Sequence, residues 1–140
     1  MHVLRNIHRW LRPDGVLLDL HPEPAHPRVE VYIDGVGNVH LGWIDSTSVT
    51  TNIHRARETL TSIVQAGWFT SGRSMTFDFV SHFPSVDDWL RHREERRARS
   101  VVDPAIIERA RELLSAKTGE VVVRERVFAA RFNRSNLPER

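Results

Sequence analysis

Apolar residues at Leu4, Ile7 and Leu11 share one helical face, Pro13 stops that helix, and Asp14-Gly15 turns the chain into the short run Val16-Leu17-Leu18-Asp19-Leu20. Apart from Asp19 the run is apolar on both faces, which predicts a central parallel strand with helices on two sides. Three prolines in His21-Pro22-Glu23-Pro24-Ala25-His26-Pro27 then take the chain out of the sheet, because proline cannot donate to a ladder. Arg28 to Ile33 and Val39 to Ile44 alternate polar and apolar residues around the turn formers Asp34-Gly35-Val36-Gly37-Asn38. This predicts a hairpin within residues 28–45, with a loop of about four or five residues.

From Val49 the apolar positions 49, 53, 56, 60, 63 and 64 form a helical stripe ending at Ala66-Gly67, so a helix is expected over 50–66. Met75, Phe77 and Phe79 recur at period two and mark a second core strand. Ser85, followed by Asp87 and Asp88, opens a helix expected over 85–98, and Asp103-Pro104 opens another over 104–116. Glu120 to Phe132 is rich in Val and Phe and predicts the closing strand. The expectation is one α/β domain over residues 1–132 and a polar, frayed tail over 133–140.

Composition narrows the chemistry. Among 140 residues there is no Cys, which removes disulfide frameworks, thiolate metal sites and thiol nucleophiles. No run approaches the roughly 20 apolar residues of a membrane span, and the first residues lack the apolar core of a secretory signal, so a cytoplasmic location is expected. Net charge is only +2, and Lys117 is the single Lys among 20 basic residues. The Arg bias reads as genomic composition more than as an adaptation to a polyanion.

The segment Ile7-His8-Arg9-Trp10-Leu11-Arg12-Pro13-Asp14-Gly15-Val16-Leu17-Leu18 resembles the helix, Pro-Gly turn and fifth strand of class I S-adenosylmethionine-dependent methyltransferases. A helix ending Ala66-Gly67-Trp68 and two closing strands separated by a helical insertion extend the resemblance over residues 1–132. It implies a partial Rossmann-like sheet made of the family's last three strands, mixed, with the final strand antiparallel between the other two and the hairpin inserted. The family's cofactor site needs a Gly-rich turn after the first strand and an acidic residue ending the second. Neither is present, and Gly35-Val36-Gly37 belongs to a hairpin turn. The resemblance therefore implies a truncated or split methyltransferase-like protein, inactive alone. It has no cofactor as an isolated chain, and S-adenosylmethionine if a missing half completes it. A strand near residue 16 without its neighbour implies a homo-oligomer or a sheet-completing partner.

His21 and Glu23 fall at the carboxyl end of the first strand, where ligands of open α/β sheets bind, and either is a candidate general base. With His26 they also carry the residue types of a metal site, although proline stiffening and the lack of helical spacing argue against one, and no metal is expected. Arg91, Arg93, Arg96, Arg97 and Arg99 beside Trp89 raise the alternative of a non-enzymatic interaction module that binds nucleic acid. Glu94 and Glu95 interrupt that run, which favours a solvated helix face. Trp10, Trp43, Trp68 and Trp89 are spaced like core or interface anchors.

Overall fold

In a computed structural model that describes residues 2–136, the chain folds in the order α1 (His2–Trp10), β1 (Val16–Pro22), β2 (Arg28–Ile33), β3 (Gly37–Trp43), α2 (Thr47–Gln65), β4 (Phe69–Phe83), α3 (Val86–Glu95), α4 (Pro104–Ala116) and β5 (Gly119–Arg134). The class is α/β with a mostly antiparallel open sheet. Its path runs β1-β5-β2-β3, and β4 also pairs with β5, so β5 lies between β1 and β4. By its internal contacts the chain divides into two compact units. The first comprises the chain up to Glu23, Asn52–Phe77 and the chain from Val127; the second comprises Pro24–Thr51 and Asp78–Arg126. No helix among the described residues is long and apolar enough to cross a membrane.

In the first unit β1 runs antiparallel to the later half of β5, from Val16 opposite Asn133 to Pro22 opposite Val127. Strand periodicity then puts Leu17, Asp19 and His21 on the face shared by Phe132, Ala130 and Phe128. Helices α1 and α2 cover that face: Ile63, Phe69, Ala130 and Phe132 are buried, and Leu4, Ile7, Leu11, Leu17 and Leu60 pack against them. On the opposite face Leu18 and Leu20 are 69% and 64% exposed. The strand expected to be central, parallel and covered twice is thus an antiparallel edge strand with one covered face. Its apolar run reads as two-sided because Leu18 and Leu20 continue it onto a face that no helix among the described residues covers.

The second unit is built on the β2–β3 hairpin, which the structure makes tighter than expected. Its loop is Asp34-Gly35-Val36 alone, closed by Val36 N donating to Ile33 O at 3.0 Å, and Gly35 takes the left-handed φ of 76° that the turn requires. β2 continues the sheet by pairing with the early half of β5, from Arg28 opposite Arg124 to Ile33 opposite Gly119. At Gly119 the strands approach so closely that a Cβ would lie 2.0 Å from Tyr32 O. Val29, Val31, Ile33 and Val121 form one apolar face, onto which α3 and α4 bring Trp89, Ile106 and Ala110.

Local chemistry sets the helix ends. Ser85 Oγ accepts from Asp88 N at 3.0 Å to start α3, and Asp103 Oδ1 accepts from Ala105 N at 2.9 Å to start α4, with Pro104 in its first turn. α3 ends at Glu95, three residues short of expectation, with Arg97 at a positive φ of 48° just beyond. α2 starts earlier than expected, at Thr47, because Asp45 Oδ1 accepts from Thr47 N at 2.9 Å and Thr47 Oγ1 at 2.6 Å. These two bonds hold the Asp45 carboxyl below its ordinary pKa. β5 continues through Arg134, whose N donates to Gly15 O and whose Nη1 donates to Leu11 O, so the expected tail from 133 begins later; its residues 137–140 lie outside the described residues. Of the four tryptophans, Trp89 is buried and Trp68 partly so, whereas Trp10 and Trp43 are exposed and do not anchor the core.

Two outcomes test these contacts. Gly119→Ala should cost about 1–3 kcal/mol or more, read by urea denaturation, because backbone blocks the added methyl. Asp45→Ala should lower the melting temperature at neutral pH. Since folding lowers the Asp45 pKa, its contribution is present above the unfolded carboxylate value and lost as pH falls through the folded one, so mutant and wild type should converge in that acid window.

Candidate functional site

Asp19 and His21, two residues apart on β1, project to the same side of the sheet, and this spacing makes a pair. His21 Nδ1 lies 2.8 Å from Asp19 Oδ2, with the side chains 10% and 18% exposed respectively. In the neutral ring a carboxylate at that distance favours the tautomer with the proton on Nδ1 and the lone pair on Nε2. Nε2 is itself buried and has no hydrogen-bond partner among the described residues. A buried polar atom left without a hydrogen bond costs about 1–3 kcal/mol.

The dyad lines a cavity of about 390 Å³ within the first unit. Phe128, which pairs with His21 across the ladder, brings its ring to 5.3 Å from the imidazole. Arg57, from α2, sits with its guanidinium 5.0 Å from the centre of the same ring, and its Nη2 donates to Glu23 Oε1 at 3.2 Å. Leu60, Val64 and Phe132 supply apolar walls, and Thr61, Gln65 and Ser71 supply neutral polar groups. The cavity therefore combines an imidazole beside a carboxylate, a guanidinium and an apolar lining. Side chains of these types can take a proton from a bound group and steady negative charge beside it.

The residues singled out from sequence separate into different roles. His21 lines the cavity beside Asp19, and Glu23 serves as the partner of Arg57. His26 lies in the second unit, where its Nδ1 accepts from Ser46 N at 3.1 Å, and no cluster of three or more metal-ligating side chains occurs among the described residues. The Arg-rich run is partly engaged: Arg91 bonds Asp88, and Arg93 bonds the carbonyl and hydroxyl of Ser100. Sequence reasoning missed Asp19 and Arg57. Asp19 carried a usable signal, being the lone charge in an apolar strand at the same-face spacing from His21. Arg57 carried none, because only tertiary packing puts it over Phe128.

If the dyad is kept for chemistry, removing it whole should stabilise the fold. Asp19→Val combined with His21→Phe should gain about 1 kcal/mol in urea denaturation, whereas Asp19→Val alone should lose about 1–3 kcal/mol by orphaning Nδ1.

No protein-family model matches this sequence, and neither a curated protein nor a solved structure is detectably similar to it.

Proposed function

We propose that this chain is the acceptor-side part of a split, methyltransferase-like protein, inactive alone and completed along the free edge of β1 by nucleoside-binding strands that these 140 residues do not contain. The observation that carries the reading is the placement of β5 between β1 and β4 and antiparallel to β1, together with the outer edge of β1, which no strand among the described residues pairs, and its exposed Leu18 and Leu20. That placement is the one the resemblance implies for its last three strands. An exposed edge with apolar side chains is a template for another strand.

The described residues offer no Gly-rich strand-to-helix turn, so a nucleoside cofactor does not fit this chain by itself. S-adenosylmethionine, if held by the completing strands, would supply an electrophilic methyl group. This chain's own residues bind the acceptor in the first-unit cavity, take its proton at His21 Nε2 and hold adjacent negative charge at Arg57. The alternative, nucleic-acid binding by the Arg-rich run, has weaker support because Arg91 and Arg93 are engaged within the protein.

Calorimetric titration of S-adenosylmethionine into the isolated chain should give no saturable heat. Light scattering at micromolar concentration should show mass above that of a monomer, because the free edge pairs with a second copy when its completing strands are absent. Leu18→Glu with Leu20→Glu should restore the monomer. Saturable cofactor binding by one copy, or a wild-type chain that stays monomeric, overturns the reading.

A further inference from the structure

A second cavity, of about 190 Å³, lies wholly within the second unit. Strand periodicity places Glu125 on the same face of β5 as Val121 and Val123, beneath α3, and it lines this cavity together with Arg93. Glu125 has no hydrogen bond or ion pair among the described residues, and burial raises the pKa of its carboxyl. Arg93 is held in place by Ser100, its Nη2 donating to the carbonyl at 2.5 Å, yet no carboxylate among the described residues pairs with it, and burial lowers its pKa. The two charges share one cavity without pairing with each other.

Half-buried charges of opposite sign that stay apart are costly, and a ligand carrying both complementary signs relieves both at once. Trp89 and Phe83 add an aromatic wall, and Arg96 adds a second cation on the side of α3 that bears Arg93. The volume lies below the roughly 300 Å³ at which drug-sized sites begin, so the occupant is small. We propose that the second unit binds a free α-amino acid with an apolar side chain, its ammonium on Glu125, its carboxylate on Arg93 and its side chain against Trp89 and Phe83. This site is independent of the first-unit cavity and of the methyltransferase-like reading.

The test is a thermal-shift screen of the purified chain against the free apolar L-amino acids, followed by calorimetry on those that raise the melting temperature, with leucine included throughout. At least one should bind saturably in the millimolar range or tighter. Glu125→Gln, which loses no partner among the described residues and so should keep a cooperative melting transition, should weaken that binding roughly ten-fold or more, as expected for loss of a charge-assisted contact. Arg93→Lys, which keeps the charge, should retain part of the affinity. For leucine as ligand, 3-methylbutylamine and 4-methylpentanoate each lack one of its two charges and should bind at least about ten-fold more weakly. Absence of saturable binding by every apolar amino acid overturns the proposal. So does unchanged affinity in Glu125→Gln, or a single-charge analogue binding as tightly as its parent.

Discussion

The pairing of β5 is the constraint on which the other elements depend. Its early residues form the ladder with β2, its later residues form the ladder with β1, and β4 also pairs with it. Val, Ala and Phe along this strand supply apolar side chains to the core of each unit. In the second unit Val121 meets the helices that carry Trp89 and Ala110, whereas in the first unit Phe132 and Ala130 meet Ile63. Because side chains alternate strictly along a strand, these burial requirements also set the register. A slip of one residue would exchange Phe128 for Ala129 beside His21, and would turn Glu125 away from Arg93.

Register also explains how buried polarity is distributed. Glu30, only 5% exposed, is neutralised by Arg124, whose Nε donates to it at 2.8 Å, and by Arg28 as a second cation, so its charge is matched within the sheet. His21 Nε2, also buried, has no hydrogen-bond partner among the described residues, and the half-buried Glu125 carboxyl has no ion-pair partner among them. Buried groups left unpaired are uncommon because each one subtracts from a small net stability. Both groups line cavities, one in each unit.

Much of the fold was legible from short-range pattern. The caps at Ser85 and Asp103, the proline stop at residue 13 and the two-residue alternation of the hairpin each depend on chemistry within a few positions, so they could be read directly. The hairpin loop and the ends of α2 and α3 moved by a few residues, since turn geometry and side-chain bonds such as Asp45 to Thr47 decide the last turn. Misreading β1 as a central strand has a different origin. Apolar residues on both faces announce that both faces can be buried, and only the placement of the helices shows which one is.

For the candidate site the division is similar. The sequence by itself determined that His21 lies at a strand end and that Asp19, two positions earlier, shares its face, because strand periodicity is a local property of the backbone. The tertiary structure alone decided that Arg57 stacks on Phe128 and takes Glu23, that Glu125 and Arg93 meet at one cavity, and that Leu18 and Leu20 remain exposed. Those outcomes depend on contacts between residues far apart in the chain, where only the packing of helices on the sheet sets which side chains meet.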